Sequence, residues 1–325
     1  MKIVALDTGV ADFDGSIAWD DFEKSGKFSR YPRTAPEEVV GRSVAAEAVI
    51  VNKVQFMRPI LEKLPLLRYI GITATGTNNV DLVCAGERGI AVTNVPAYST
   101  ESVTQLVFAF LLEMSCRVGD YQREVAAGEW VRSPDFCLAK FSTWELDGKT
   151  LGILGYGAIG KRVGEVAAAF GMRVLKAALP GRSCGSDRLP LEPVLAQSDA
   201  VTLHCPLTAE TRQLINERAL ALMKPTAVLI NTGRGGLVDE RALAAALHEK
   251  RIAGAAVDVL SSEPPAADNP LLSAPNVVIT PHIAWTTQEA RKRLISEAAK
   301  NLQAFLQGQR RNRVESSNFS QASGL

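Results

Sequence analysis

The chain has 325 residues, of which 46% are hydrophobic and 22% charged, a composition typical of a packed protein large enough for two domains. Its 36 Lys and Arg residues nearly balance its 35 Asp and Glu residues. No global field therefore attracts nucleic acid or an anionic membrane, and we expect neither as a partner. Any anionic ligand must be held by local charges.

The five cysteines are scattered, form no CxxC pair and are odd in number, which argues against a complete disulfide framework and favours a reducing compartment. The first residues reach Asp7 before an apolar segment of signal-peptide length develops. No run approaches the roughly 18 apolar residues of a membrane helix. We therefore expect a cytoplasmic protein, and we expect no metal ion in its site.

Apolar runs rich in branched residues alternate with helical patterns over residues 2–94, which predicts a parallel sheet with helices on its faces. A longer amphipathic stretch, from about Ser99 to Val125, begins with residues that suit a helix amino terminus and is expected to cross into a second unit. The candidate strands before it are IVALD at 3–7, AVIVN at 48–52, LRYIGI at 67–72 and IAVTN at 90–94.

A second alternating series predicts a second doubly wound domain, with candidate strands TLGILG at 150–155, MRVLKA at 172–177, DAVTLH at 199–204, AVLIN at 227–231, GAAVDV at 254–259 and VVIT at 277–280. Residues 287–308 have the composition of one long helix. If this helix packs back on the first unit, the domains are discontinuous: 1–98 with 286–325, and 99–285. The polar residues from about Asn312 onward predict a flexible tail.

The sequence GYGAIG lies between the apolar strand TLGIL and the helical run KRVGEVAAAF. In a dinucleotide-binding turn, the first glycine permits a tight turn, the second lets a pyrophosphate approach, and the third allows the strand and helix to pack closely. The N–H groups at the helix start attract the anion. This context favours a dinucleotide site over a purely structural turn, formed by Gly155, Tyr156, Gly157, Ala158, Ile159 and Gly160.

An acidic residue about 20 positions beyond such a turn usually binds the adenosine ribose of NAD. Here no Asp or Glu occurs from Val166 to Ser186. A carboxylate would repel the 2′-phosphate of NADP, whereas an arginine could pair with it. We therefore favour NADP over NAD; the alternative is a solvated arginine and the use of either cofactor. The turn that replaces the acid is Ala178, Leu179, Pro180, Gly181 and Arg182.

Ligands of an open α/β sheet bind beyond the carboxyl ends of its strands. Arg234 follows AVLIN, Glu263 follows GAAVDV, and His282 follows VVIT. An arginine can hold a carboxylate and polarise a carbonyl, a histidine can protonate a developing alkoxide, and a carboxylate can orient the imidazole and favour its charged form. The set predicts reduction of a 2-oxo acid by an anchor, an orienting carboxylate and an acid/base.

Each of the three residues also has a simpler interpretation. His204 and His282 both lie at strand ends, so position alone does not choose between them. Arg234 could belong to a surface turn, and Glu263, which precedes two prolines, could cap a loop. The combination of the three is what favours a catalytic site.

Eight ordered motifs resemble the D-isomer-specific 2-hydroxyacid dehydrogenase family, and more narrowly its glycerate dehydrogenase or hydroxypyruvate reductase branch. They span most of the chain and are specific as a set. The motifs are ATGTNNVDL from Ala74, VTNVPAYSTESV from Val92, GEWVRSPDFC from Gly128, GYGAIG from Gly155, LHCPLT from Leu203, NTGRGGLVDE from Asn231, DVLSSEPP from Asp258 and TPHIAW from Thr280.

The resemblance implies a flavodoxin-like substrate domain and a Rossmann dinucleotide-binding domain. It implies the same catalytic roles for Arg234, Glu263 and His282. It also implies that N–H groups around Thr75 and Gly76 hold the substrate carboxylate; the alternative there is a plain strand-to-helix turn.

Further residues enter the predicted site by the same resemblance. Trp285 either walls a small pocket or is an aromatic residue of a domain interface. Thr232 and Asp258 are expected near the nicotinamide, and Pro206 and Thr211 along the cofactor. With their neighbours in the same motifs, the predicted cofactor residues are His204, Cys205, Pro206, Thr211, Thr232, Gly233, Asp258 and Ala284.

The family is typically dimeric through its cofactor domains, so the crossing helix and the loop from Trp130 to Trp144 are candidates for a homodimer interface; the alternative is that their aromatic residues fill the local core. Two departures stand out. The acid at Ala178 to Arg182 is missing, which puts the usual NAD preference in doubt, and Gly233 replaces a frequent alanine.

The sequence thus predicts an NAD(P)-dependent oxidoreductase acting on a small 2-oxo acid, with hydroxypyruvate or glyoxylate as the substrates of choice. Rival substrates within the family are D-lactate, phosphoglycerate, formate and phosphite. The rival from another class is a nucleotide-sensing binding protein of the corepressor type.

Overall fold

The computed structural model describes residues 1–181 and 187–315. The chain forms two compact units, which we call unit 1 (Met1–Ser99 with Trp285–Leu325) and unit 2 (Thr100–Ala284). Each unit contains one parallel sheet with a hydrophobic core on either face. The predicted α/β class with two doubly wound parallel sheets is confirmed.

Within the described residues, the sheet of unit 1 has five parallel strands: β1 (Lys2–Ala5), β2 (Lys27–Arg30), β3 (Ala48–Val51), β4 (Tyr69–Ile72) and β5 (Ala91–Thr93). Their order is β2-β1-β3-β4-β5, which is the flavodoxin-like order. The sequence does not predict β2, because KFSR is a largely exposed edge strand without an apolar pattern.

The helices of unit 1 are α1 (Asp20–Glu23), α2 (Val39–Ser43), α3 (Arg58–Leu61), α4 (Leu82–Glu87) and α11 (Gln288–Leu306), the last being the long helix predicted near the end of the chain. Thr287 caps α11 by accepting the N–H of Ala290 at 3.3 Å. Leu294, Ala298 and Leu302 recur every four residues and are buried against the sheet. Each fully buried leucine contributes about 1.5–3 kcal/mol, which attaches α11 to strands far earlier in the chain.

A short segment after α11 covers the free edge of β5. Thr93 forms an antiparallel bridge with Arg313, and the N–H of Val314 donates to the carbonyl oxygen of Val92 at 2.9 Å. The tail predicted from Asn312 thus includes four residues, 312–315, that pair with the sheet. Residues 316–325 lie outside the described part of the chain.

Over the same described ranges, the sheet of unit 2 has six parallel strands: β6 (Thr150–Leu154), β7 (Arg173–Ala177), β8 (Ala200–Leu203), β9 (Val228–Asn231), β10 (Gly254–Val257) and β11 (Val277–Ile279). All six match candidate strands of the sequence. Their order is β11-β10-β9-β8-β6-β7, so the winding reverses between β6 and β8. A single bridge from Ala177 to Leu189 stands where the Rossmann order has its third strand.

The helices of unit 2 are α5 (Thr100–Cys116), α6 (Val118–Ala126), α7 (Ala158–Ala169), α8 (Leu191–Gln197), α9 (Glu217–Leu222) and α10 (Glu240–His248). The stretch predicted from Ser99 to Val125 is therefore two helices rather than one. Arg117 adopts a left-handed conformation with φ of 57°, and α6 departs from α5 at 56°. No single helix of the described residues is long and apolar enough to cross a membrane; α5 and α6 pass that test only as a bent pair.

Candidate active site

The turn between β6 and α7 has the backbone geometry that a pyrophosphate requires. Gly155 has φ of 101°, and a Cβ there would lie 2.4 Å from the backbone nitrogen of Cys205. A Cβ on Gly160 would lie 2.1 Å from the carbonyl oxygen of Gly155. A Cβ on the exposed Gly157 would meet nothing within 4 Å. The first and third glycines thus close the turn, and the second leaves open space for a ligand.

The start of α7 is available to an anion. The first N–H groups of any helix have no intrahelical acceptor, and here they include those of the exposed Ala158 and the half-buried Ile159. Gly157 occupies the cap position and has no side chain that could accept them. Tyr156 turns away and packs against Gly164, with its ring centre 4.5 Å from Nζ of Lys176. These residues fit a dinucleotide phosphate.

The turn after β7 contains the positions where the sequence lacks an acid. Ala178 donates its N–H to the carbonyl oxygen of Leu189 at 2.7 Å, and Leu179 is buried. Pro180 and Gly181 are exposed. Arg182, the predicted partner of a 2′-phosphate, lies outside the described residues.

His204 lies directly beneath the glycine turn. Its N–H donates to the carbonyl oxygen of Leu154 at 2.7 Å, and its Nε2 is 3.0 Å from Oγ1 of Thr202. Burial lowers the pKa of His204 to about 3, so the ring is neutral at physiological pH. The adjacent Cys205 is buried. His204 is therefore a neutral structural neighbour of the phosphate turn.

The loop that follows Cys205 is closed by its own threonines. The buried Thr211 donates its hydroxyl to the carbonyl oxygen of Pro206 at 2.7 Å and accepts the N–H of Thr208 at 2.8 Å. The hydroxyl of Thr211 thus shapes the loop, while Pro206 is exposed.

The loop after β9 presents Arg234. The side chain of Asn231 holds this loop from both sides, accepting the N–H of Gly233 at 3.0 Å and donating to the carbonyl oxygen of Arg234 at 2.9 Å. Arg234 is exposed, with Nη1 on the carbonyl oxygen of Gly233 at 2.8 Å. Among the described residues, the buried Oγ1 of Thr232 finds no hydrogen-bond partner, which fits a ligand atom at this strand end.

Gly235 brings the Arg234 loop into backbone contact with the segment that leads to Glu263. A Cβ on Gly235 would lie 1.9 Å from the carbonyl carbon of Leu260 and 2.3 Å from the nitrogen of Ser261. Only glycine permits this approach. The loops after β9 and β10 are thereby adjacent, as the sequence predicted for neighbouring strand ends.

Asp258 organises the loop that carries His282. Its buried carboxylate accepts the hydroxyl of Thr280 at 2.6 Å and the N–H groups of Ile283 and Ala284, each at 2.8 Å. Burial raises the pKa of Asp258, against these hydrogen bonds, which lower it. Both carboxylate oxygens are engaged within unit 2, as is the N–H of Ala284. These contacts are not among those expected from the sequence; an aspartate directly after an apolar strand is the signal that could have indicated them.

Glu263 and His282 form a close pair. Nδ1 of His282 lies 2.6 Å from Oε2 of Glu263, and the other carboxylate oxygen accepts the N–H of Leu260 at 3.2 Å. Both side chains are half-buried. His282 has φ of 57°, a left-handed conformation that costs a non-glycine residue about 1–2 kcal/mol and that the bonds to Asp258 compensate. The pair leaves Nε2 of the imidazole as the atom not engaged by Glu263.

Three of the predicted substrate-binding residues belong to unit 1. Thr75 is exposed, and its hydroxyl donates to the carbonyl oxygen of Val95 at 3.0 Å; Gly76 beside it is half-buried. Trp285 packs edge-on against Tyr98, with ring centres 6.3 Å apart, at the margin of a core of unit 1. The substrate roles of Thr75, Gly76 and Trp285 remain predictions.

Similarity to known proteins identifies the family of this chain. Residues 108–284 match the family described as D-isomer specific 2-hydroxyacid dehydrogenase, NAD binding domain. The chain is 43% identical over 317 residues to a hydroxypyruvate reductase of Blautia hydrogenotrophica, covering 95% of this chain and 98% of that protein. It is 39% identical over 317 residues to a glycerate dehydrogenase of Methylorubrum extorquens, covering 97% and 99%.

A solved structure shows the same architecture. The crystal structure of an NADPH-dependent glyoxylate/hydroxypyruvate reductase from Sinorhizobium meliloti, in complex with citrate, matches with a TM-score of 0.82 and 28% identity, covering 98% of this chain and 99% of that chain. The family match, the full-length relatives and the fold agree with one another. The chain belongs to the D-isomer-specific 2-hydroxyacid dehydrogenase family and is a nicotinamide-linked oxidoreductase of 2-hydroxy acids.

Proposed function

We propose that this protein reduces hydroxypyruvate and glyoxylate, giving D-glycerate and glycolate. The observation that carries the proposal is the pair of Glu263 and His282, 2.6 Å apart, with the loop that leads to Glu263 in backbone contact with the loop of Arg234. An acid/base, its orienting carboxylate and a cation are the groups that reduction of a 2-oxo acid needs. The names of the hydroxypyruvate reductase and glycerate dehydrogenase relatives support this substrate class.

The parts played by the side chains follow from their contacts. Glu263 accepts the proton on Nδ1 of His282 and so fixes the orientation of the ring. Nε2 then donates a proton to the oxygen of the carbonyl as it is reduced. The guanidinium of Arg234 holds the substrate carboxylate through a forked pair of N–H groups and polarises the carbonyl. Thr75 and Gly76 are proposed to add backbone N–H groups for the same carboxylate.

A nicotinamide dinucleotide is the proposed cofactor, and when bound it supplies the hydride. The open turn at Gly157 and the N–H groups of Ala158 and Ile159 would hold its pyrophosphate. The orphaned hydroxyl of Thr232 would lie toward the nicotinamide. We propose that NADPH is preferred over NADH, because no acid follows β7 at Ala178; the NADPH-dependent relative from Sinorhizobium meliloti supports this.

We propose that the protein is a cytoplasmic homodimer. Apolar side chains on α6 and the following loop are exposed, with Val131 and Phe136 at 89% and 93%. Several exposed apolar side chains in one segment of the chain favour association. The cysteines of the described residues are free thiols, which suits a reducing compartment: Cys84, Cys116, Cys137 and Cys205.

Initial rates of NADPH and NADH oxidation by the purified protein test the proposal. Hydroxypyruvate and glyoxylate are titrated separately, with pyruvate and 3-phosphohydroxypyruvate for comparison. Higher kcat/KM for hydroxypyruvate or glyoxylate supports the proposed substrates. Higher kcat/KM for pyruvate or the phosphorylated acid would contradict them while keeping the enzyme class.

A further inference from the structure

Two loops lie at the carboxyl ends of the strands on either side of β6. One follows β7 and includes Gly181; the other follows β8 and contains Glu210. A Cβ added to Gly181 would lie 3.5 Å from Cγ of Glu210 and 4.0 Å from its Cδ. Because β7 and β8 are both neighbours of β6, these loops border the crevice where a Rossmann sheet binds its nucleotide. Glu210 therefore lies beside the turn that is proposed to receive the adenosine ribose.

The position of Glu210 is held by its own loop. Thr211 is 3% exposed and bonds both Pro206 and Thr208, and the N–H of Arg212 donates to the carbonyl oxygen of Thr208 at 3.0 Å. The loop is thus closed on itself, and Glu210 stands at its exposed surface. A hydrogen bond from Thr208 lowers the pKa of Glu210, so the carboxylate is charged at neutral pH.

A second acid lies near the same turn, but its charge is compensated. Asp187 is 2.7 Å from Nζ of Lys176, and Lys176 in turn covers the ring of Tyr156. In the part of the chain that the structure describes, no Lys or Arg forms an ion pair with Glu210. Glu210 follows β8, so it does not stand about 20 positions after the glycine turn, where the acid of an NAD-binding turn usually lies.

We propose that Glu210 sets the discrimination between NADPH and NADH in this chain, by opposing the 2′-phosphate at the turn from Ala178 to Gly181. Without an acid at Ala178 the turn can accept the 2′-phosphate, and Glu210 reduces the resulting preference for NADPH over NADH. The inference rests on the proposed use of a nicotinamide dinucleotide. A carboxylate acts on a phosphate over about 10 Å at 0.1 M salt and over about 3 Å at 1 M salt, so the effect depends on ionic strength.

The test is the dissociation constant of the full chain for NADPH and for NADH, measured from the fluorescence of the bound nucleotide without substrate. Glu210→Gln removes the charge with little change in shape, and Glu210→Arg reverses it. Glu145→Gln is the matched control, since Glu145 is exposed and precedes the amino end of β6, whereas Glu210 follows the carboxyl end of β8. We expect Glu210→Gln to bind NADPH roughly three- to tenfold more tightly at low salt, and Glu210→Arg more tightly still.

NADH affinity should stay within about twofold of the wild type in all three variants, and Glu145→Gln should change neither constant. The gain for NADPH should shrink at 1 M salt. Equal shifts for both nucleotides, or no shift for NADPH, would overturn the role of Glu210. Absence of turnover with hydroxypyruvate and glyoxylate, with the nucleotide shifts intact, would instead remove the proposed substrates and leave this inference standing.

Discussion

The N–H of His282 donates to the carbonyl oxygen of Asp258 at 2.8 Å, while the carboxylate of Asp258 accepts the N–H groups of the two residues that follow His282. One buried residue at the end of β10 thus determines the path of the loop after β11. These hydrogen bonds explain how His282, a loop residue in the left-handed conformation, can hold its imidazole 2.6 Å from the carboxylate of Glu263. Acid/base geometry in this site therefore depends on Asp258, which acts through the backbone of the loop that carries His282.

Thr280→Val tests this dependence. The substitution keeps the shape of the side chain but removes the hydroxyl that donates to Asp258 at 2.6 Å. Hydrogen bonds to charged groups contribute about 1.5–3 kcal/mol, so we expect the free energy of unfolding to fall by that amount and kcat to fall with it. Thr280→Ser, which keeps the donor, should restore both. Urea unfolding and steady-state rates decide; unchanged stability in Thr280→Val would show that Asp258 does not need this bond.

Glu263→Gln tests the orienting role of the carboxylate. An amide of the same shape can still accept the N–H of Leu260, but it carries no charge to hold the imidazole ring. General acid/base catalysis typically contributes 10²–10⁴-fold, and we expect kcat to fall by roughly 10²-fold, with NADPH affinity unchanged. His282→Ala should cost at least as much. A Glu263→Gln enzyme with wild-type kcat would exclude the pair as the acid/base.

Much of the fold could be predicted from the sequence because its strands are covered on both faces. A strand such as TLGIL in β6 is buried at every position, so it appears as a continuous apolar run. The edge strand β2 has no such pattern, and the bend between α5 and α6 falls on Arg117, which is neither glycine nor proline. The local apolar pattern predicts the buried helices and strands. It does not predict edge strands or helix bends, which depend on tertiary contacts.

The candidate site divides in the same way. Residues that follow strands, such as Arg234 and His282, could be predicted because the topology of a parallel sheet brings its carboxyl ends together. The hydrogen bond between Thr280 and Asp258, and the approach of Gly181 to Glu210, could not, because they involve loops of different strands. The separation of two residues along the sequence does not give the distance in space between such loops. Their geometry appears only once the sheet order is known.

Two glycines predict opposite results for the same substitution. Gly157→Ala places a methyl group in open space, so we expect an unchanged melting temperature and weaker dinucleotide binding. Gly235→Ala places it 1.9 Å from the carbonyl carbon of Leu260, where backbone must move. We expect Gly235→Ala to lose about 2 kcal/mol or more of stability and to misplace Arg234. Calorimetry and nucleotide titration of both variants test the contrast, and equal melting temperatures would contradict it.

The exposed apolar loop predicts an oligomer. Val131 and Phe136 are almost fully exposed, and Trp130 beside them is half exposed, with its ring N–H bonded to the carbonyl oxygen of Phe136 at 3.0 Å. We expect light scattering to give the mass of a dimer. Val131→Asp combined with Phe136→Asp should shift the mass toward the monomer, whereas Leu272→Asp, at an apolar residue elsewhere on unit 2 that is 49% exposed, should not. A wild-type monomer at micromolar concentration would refute the homodimer.

The buried His204 predicts how stability depends on pH. Its pKa is about 3 in the folded chain against 6.5 for an unperturbed histidine, so the unfolded chain binds a proton that the folded chain does not. The contribution of His204 to the free energy of unfolding is complete above pH 6.5 and declines as the pH falls toward 3, by about 2 kcal/mol between pH 7 and 5.

His204→Gln keeps a hydrogen-bonding group near Thr202 but cannot titrate. Urea unfolding of both proteins at pH 7, 6 and 5 isolates the effect, since all other groups are common to the two chains. We expect the difference in unfolding free energy, wild type minus variant, to fall with decreasing pH. A difference that is constant from pH 7 to pH 5 would mean that His204 is protonated as readily in the folded chain as in the unfolded one.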